Sequence, residues 1–285
     1  MRIFLVLWLV PGWVAISACS GSDGPADAAG EESRDGSDGG ADAGGDGGGC
    51  GTDCAPVDPE ALPGTYAMLQ VNARIANVPV VGQTRTETHA LLRAEVTRNG
   101  AQRIDMLIEV CDLKQVSEST LVQVVFPDAF LQHLETYPRT IELRPDLGVN
   151  RFISPLAVEV YGVHLTDPFN DALPSEADDS RVYDQDGDTR PGVTIRVTGL
   201  VDGEIWLVQR NLSTLAGTIE SADRWSGLID SEVEQVYLGS DNPILSKPNE
   251  SVKDPDPSHS FIKLSRVPAD KNCDWIRAQG EALFQ

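Results

Sequence analysis

Beyond about residue 64 the chain is written mostly in period two. Val193, Ile195 and Val197 alternate with Thr194, Arg196 and Thr198, the signature of a strand with one buried face. Runs of similar β character cover residues 66–71, 87–98, 103–111, 120–126, 140–143, 156–165, 204–209, 215–220, 225–230, 233–238 and 260–267, and turn residues separate them. Asn99-Gly100 predicts a two-residue hairpin turn, because these residues accept the positive φ angles that match strand twist. Asp202-Gly203 marks another turn, and Pro127 stops the strand before it. Only two segments carry a helical pattern. Residues 128–136 have Asp128 as cap with Phe130, Leu131 and Leu134 on one face, and residues 270–283 carry Cys273, Trp275 and Ile276. The pattern predicts an all-β fold: an antiparallel barrel or sandwich of about ten strands with a short C-terminal helix. Residues 62–285 are long enough to form this as one domain.

The first sixty residues follow different rules. Arg2 precedes an apolar run over residues 3–15, interrupted by Pro11-Gly12. As a helix this run would rise only about 20 Å, short of a hydrocarbon core of ~30 Å. Ile16-Ser17-Ala18 then lead into Cys19. This start resembles the lipobox of a bacterial lipoprotein precursor, a resemblance that covers residues 1–19. It implies that residues 1–18 are a signal peptide, that the Cys19 thiol takes a diacylglycerol, and that the new amine is acylated after cleavage. The competing reading is an ordinary secretory signal with Cys19 incidental. The lipoprotein resemblance further implies a cell-envelope location with the membrane as partner, held through Cys19. Ser20 rather than Asp after the anchor points, by that family's best-known sorting rule, to the outer membrane. Residues 19–61 are rich in Gly, Asp and Ala, with no aromatic residue from Ser20 to Val57. Such a segment cannot bury enough apolar surface to offset its ordering entropy and is expected to be a disordered tether of roughly 30–40 Å span.

Charge narrows the partners. The formal net charge is −22, and residues 20–60 hold eleven acids against Arg34 alone, leaving 33 acids and 20 bases once Arg2 is also set aside. A surface so acidic repels nucleic-acid phosphates and anionic lipid heads, so attachment must come from acyl chains. Cations are its natural counterpart. With Cys19 lipidated, Cys50, Cys54, Cys111 and Cys273 remain, an even number suited to an oxidising compartment. Of three pairings, Cys50–Cys54 with Cys111–Cys273 is the expected one, since the first two lie together at the edge of the tether. A metal site on the cysteines lacks a second close pair and a nearby histidine.

Three functional readings follow. Gly64-Thr65-Tyr66 on the first strand, the up-and-down rhythm and the terminal helix resemble a lipocalin-type barrel, with Tyr66 where that family usually has Trp. That resemblance implies carriage of a small apolar ligand. Trp206, Trp225, Tyr237 and Phe261 are expected to pack, and the functional alternative is that some line a cleft. A hydrolase is the second rival to the leading expectation, a non-enzymatic anchored protein that binds or scaffolds. The chain has no Gly-x-Ser-x-Gly or His-Glu-x-x-His, and His89, His133, His164 and His259 are scattered singly. The sharpest candidate site is Asp184-Gln-Asp186-Gly187-Asp188, where alternate carboxylates can converge hard oxygens on Ca²⁺. It resembles the opening of an EF-hand-type loop, with Thr189 at the glycine position and Ile195 at that of the bidentate glutamate. The alternative is a solvated acidic turn that keeps a strand edge soluble.

Overall fold

The computed structural model describes residues 55–78, 82–247 and 251–285. Residues 1–54, including the lipobox, Cys19 and the Cys50/Cys54 pair, lie outside them. Among the described residues eleven strands follow in order: β1 (Gly64–Val78), β2 (Gly82–Arg98), β3 (Arg103–Ser117), β4 (Val122–Val125), β5 (Tyr137–Leu143), β6 (Arg151–Tyr161), β7 (Val193–Gly199), β8 (Gly203–Ser221), β9 (Arg224–Ser240), β10 (Ser251–Lys253) and β11 (Phe261–Arg266). Two short helices, α1 (Asp128–Gln132) and α2 (Cys273–Gln279), accompany them.

Every strand pairing is antiparallel, and the sheet closes on itself. Around the ring the order is β1-β2-β3-β5-β6-β8-β9-β11 and back to β1, which is also chain order, so the body is an eight-stranded up-and-down barrel. The choice left open between barrel and sandwich resolves to the barrel. The ring is thinnest at β5–β6, where only Glu142↔Ile153 and Leu143↔Phe152 pair. Beyond that point β7 takes the side of β8 that β6 occupies further along, pairing Val193–Val197 with Gly203–Leu207, and β4 pairs onto β7. The short β10 pairs with the far end of β1.

Period two decides which side chains enter the barrel. Tyr66 and Met68 of β1, Leu92, Ala94 and Val96 of β2, Ile104, Met106 and Ile108 of β3, Leu215 and Ile219 of β8, Trp225 of β9 and Ile262 of β11 form one core in the lumen. Tyr66, Phe152 and Trp225 are its largest members and meet tilted, with centroids 5.5 Å apart for Tyr66–Trp225 and 5.8 Å for Phe152–Trp225. Gly217 makes room for them: a Cβ there would stand 2.7 Å from the Phe152 ring and 2.7 Å from the Cα of Gly227 on β9. Residues 55–63 cap this end. Leu62 is buried, Val57 packs against the core, and the Arg266 guanidinium lies over the Tyr66 ring at 4.7 Å while donating to the Pro63 carbonyl. Among the described residues, a 3-10 turn at Pro59–Ala61 leads into the barrel at its closed end.

The opposite face of the same strands carries a second core. Ala67, Leu69 and Val71, with Leu91 and Cys111, are covered by Ile276 of α2 and by Phe284. A disulfide joins Cys111 to Cys273 with Cα atoms 4.8 Å apart, the pairing expected from the sequence. Arg277 adds a hydrogen bond of 2.8 Å from Nη2 to the Cys111 carbonyl. The helix expected over residues 270–283 is shorter, because Gly280 takes φ +60° and the chain continues as a 3-10 turn. The expected hairpin at Asn99-Gly100 is also wider than two residues: Arg98 pairs with Ile104, and Asn99 N–H donates to the Arg103 carbonyl across four loop residues.

Candidate functional site

Halfway along the barrel the inward residues change character while the alternation continues. On β1 the inward series runs Tyr66, Met68, Gln70, Asn72, Arg74, Ala76; on β8, read backwards, it runs Ile219, Gly217, Leu215, Ser213, Asn211, Gln209. On β9 it passes from Trp225 and Ile229 to Ser231 and Gln235. Beyond the change the lumen is a cavity of about 650 Å³. Its two arcs differ. Gln70, Asn72, Thr86, Thr88, Gln209, Asn211, Ser213, Ser231 and Gln235 make an amide and hydroxyl wall on β1, β2, β8 and β9. Leu113 of β3, Val122 and Val124 of β4, Phe126, Phe130 of α1, and Val193 and Ile195 of β7 make an apolar wall facing the same space. Amide side chains both donate and accept, so the first wall can meet hydroxyl or amide groups of either sense. Several are held in place: Gln209 donates to Asn211 at 2.7 Å, Gln235 donates to Gln209, and Ser231 donates to Asn72 at 3.0 Å.

At the floor, where apolar packing gives way, lies a charged pair. Arg139 of β5 is buried beside Met106, with side-chain exposure of 1%, and reaches Glu159 of β6 at 3.5 Å and the Ser213 hydroxyl at 2.6 Å. Tyr161 donates to the other Glu159 oxygen at 3.0 Å. Burial pushes the phenols of Tyr137 and Tyr161 above their ordinary range, and the Glu159 carboxylate adds to the effect. Glu159, Tyr137, Tyr161 and Ser213 border the cavity, so its floor offers a carboxylate neutralised from below and two un-ionised phenols. Sequence reasoning missed this cluster. Arg139 follows Pro138 in a short strand, and its one available signal was a charge at an inward position.

None of the four histidines lines the cavity. His89 contacts Glu87 at 3.1 Å and Glu281 at 2.8 Å, His133 contacts the Ala129 carbonyl at 2.8 Å, His164 stacks on Tyr183 at 4.1 Å, and His259 contacts Asp254 at 2.9 Å. The structure does not bring them together. Of the aromatic residues singled out, Trp225 is core, Phe261 packs outside the barrel, Trp206 lies under the Arg190 guanidinium at 4.7 Å, and Tyr237 lines the cavity.

The acidic turn lies in the excursion between β6 and β7, which leaves from the open end. Asp184, Asp186 and Asp188 each bring a carboxylate oxygen within 4.8 Å of the others. Asp184 builds the turn: its Oδ1 accepts from Gly187 N–H at 2.7 Å and Asp188 N–H at 3.1 Å, its Oδ2 from Thr189 N–H at 2.8 Å. Both Gly187 and Thr189 take φ +73°, so the threonine adopts the left-handed conformation that glycine would fill more readily. Asp186 is 3% exposed; its Oδ2 accepts from Thr194 N–H on β7 at 2.8 Å, and burial raises the pKa of its carboxyl.

The fold and cavity define a class: a closed antiparallel barrel, packed at one end and hollow at the other. Compared with known proteins, the chain matches no family model, no curated protein and no solved structure. Among the described residues no helix is long and apolar enough to cross a membrane.

Proposed function

We propose that this chain is a lipid-anchored envelope protein whose barrel binds a small, uncharged, hydroxyl-bearing ligand of sugar-like character. One observation carries the ligand reading. The inward series of β1, β8 and β9 turns from hydrocarbon to amides and hydroxyls at one level, around a cavity whose other wall is apolar. A sugar ring offers hydroxyl edges to the first wall and C–H faces to Phe126, Phe130 and Tyr237. The pairing of Arg139 with Glu159 leaves no net charge at the floor, which suits a neutral group there, while Arg74 and Lys114 also line the cavity. The acidic surface is consistent with a partner other than nucleic acid.

The anchor reading rests on Ile16-Ser17-Ala18-Cys19 and on the tether expected after it, with the outer membrane the destination suggested by Ser20. Acyl chains contribute about 0.8 kcal/mol per buried CH₂, so several hold a protein essentially permanently. Entry of the chain at the capped end of the barrel supports a role in which the mouth is left unobstructed.

Isothermal titration of the full-length protein in detergent, against a panel of neutral mono- and oligosaccharides and a matched panel of fatty acids, tests the ligand class. Saccharide binding that Asn211→Leu abolishes is the expected result. Fatty-acid binding with no saccharide response would favour the lipocalin-like carrier of an apolar ligand, the reading to which the Phe126/Phe130 wall lends weight. Replacing Cys19 by Ala should release the protein from the membrane fraction, and unchanged partitioning would remove the anchor.

A further inference from the structure

We infer that the turn carrying Asp184, Asp186 and Asp188 is a calcium site that fastens the start of β7. Acidic clusters on acidic proteins are common and by themselves indicate nothing. What separates this one is Asp186. Its side chain is buried, at 3% exposure, and aimed into the cluster, yet its Oδ1 has no hydrogen-bond partner. A buried carboxylate with one oxygen lacking any donor, in a group of three carboxylates that come within 4.8 Å, is costly unless a cation completes it. No protein cation does so. Among the described residues, no Lys, Arg or His nitrogen forms an ion pair with any of the three aspartates, and Arg190, the basic residue closest in sequence, lies over the Trp206 ring instead.

The chemistry of the donors selects the ion. The cluster offers oxygen only, which suits a hard cation over zinc, whose sites draw on sulfur and nitrogen. Three carboxylates on one irregular turn match the adaptable shell of roughly 6–8 oxygens that calcium accepts, whereas magnesium demands a near-ideal octahedron. The remaining positions fall to backbone carbonyls and water. Because Asp186 also accepts from Thr194 N–H, the ion would be joined through a single side chain to β7, whose Val193 and Ile195 flank that residue. The site stands apart from the ligand reading of the cavity, and either can fail without the other.

The test uses the full-length protein in detergent, with calcium chloride and terbium chloride as probes. Calcium at about 100 times its dissociation constant should raise Tm by roughly 5–10 °C over the chelator-treated protein. Terbium should show luminescence sensitised by the neighbouring Tyr183 and Trp206, displaced by calcium and not by equal magnesium. Asp186→Asn keeps the shape and removes the charge. It should lose both responses, yet melt no lower than wild type in chelator, because the uncompensated charge has gone and an amide NH₂ can donate where an oxygen lacked a partner. Asp188→Asn, at an exposed position, provides a second variant and should weaken calcium at least tenfold. Identical wild-type melting curves with calcium and chelator would overturn the inference. So would a calcium shift that Asp186→Asn retains, since that shift would arise from the other acidic segments.

Discussion

The two ends of the barrel are made from the same strands under the same alternation, and they do opposite work. At the closed end each inward position is hydrocarbon or aromatic, and Tyr66, Phe152 and Trp225 fill the lumen until nothing larger than a glycine fits at Gly217. At the open end the inward positions of β1, β2, β8 and β9 turn mostly to Gln, Asn, Ser and Thr, opposite an apolar wall, and the lumen stays hollow. Burying amides without partners is unfavourable, so the polar wall adds little by packing. The open half draws instead on its continuity with the first and on smaller cores outside that wall, around Phe130, Val193 and Leu207 and around Val163 and Val208. One half of each strand folds the barrel, and the other half is left free to be selected for what it meets.

The largest expected effect sharpens that contrast. Trp225→Ala removes a side chain 1% exposed from the centre of the closed end and should cost about 3–5 kcal/mol in urea unfolding. Asn211→Ala, four inward positions beyond Ile219, the partner of Trp225 on β8, should change stability by less than ~1 kcal/mol. Equal losses at the two sites would mean that the open end is packed in solution and that the division fails. Next in size is the boundary itself. Arg139→Met strands the Glu159 carboxylate, whose side chain is 12% exposed, and should cost ~3 kcal/mol. Arg139→Met combined with Glu159→Gln should recover most of it, a non-additivity measurable as a double-mutant cycle. Additive losses would show the pair to be two independent packing residues.

The division also explains what the sequence disclosed. Alternation of Val193, Ile195 and Val197, the turn at Asp202-Gly203 and the closeness of Cys50 to Cys54, which left Cys111 for Cys273, sufficed for an antiparallel fold with its Cys111–Cys273 disulfide. Residues 204–209 and 215–220 read as two strands, however, and they are one, β8. The break fell at Asn211 and Ser213, where the inward positions are polar because they line the cavity. The split of β9 between residues 225–230 and 233–238 has the same cause in Ser231. Hydrophobic periodicity fails where the inside of the barrel stops being hydrophobic, so the breaks in the pattern coincide with the open end. Closure was less legible. It depends on β11 reaching β1 at the other end of the chain, a pairing that no local pattern encodes. The acidic turn was legible as residue types alone, since burial of Asp186 comes from its bond to Thr194, eight residues away.

A smaller effect concerns the capped end under alkali. The Tyr66 phenol is held up at about 12 by burial, against the pull of the Arg266 guanidinium, and it lies within hydrogen-bond reach of the Leu62 and Ala222 carbonyls. A phenol raised in the folded state contributes stability that is whole below its ordinary value near 10 and lost as pH climbs through the folded value. Unfolding free energy should therefore fall between about pH 10 and 12, and Tyr66→Phe should flatten that decline. A decline of the same slope in the variant would assign it to Tyr137 and Tyr161 at the cavity floor.

The smallest effect lies at the other extreme of pH and on the other side of the comparison. Asp179, in the excursion that leaves the open end, is held down at about 2 first by hydrogen bonds from the Arg181 side chain, at 2.8 and 3.0 Å, and then by the Arg181 backbone N–H. A carboxylate depressed in this way contributes stability that is present above its unfolded value near 4 and lost as pH falls toward 2. The pair is open to solvent, which screens it, so global stability should barely respond while the local titration does. Carbon-detected NMR of the Asp179 carboxyl should give a midpoint near 2 in the wild type. Arg181→Gln should return it toward the ordinary range without moving the urea midpoint. A urea midpoint that moved with it would mean that the excursion is coupled to the packed end, and that the open half contributes more to holding the barrel together than its lining implies.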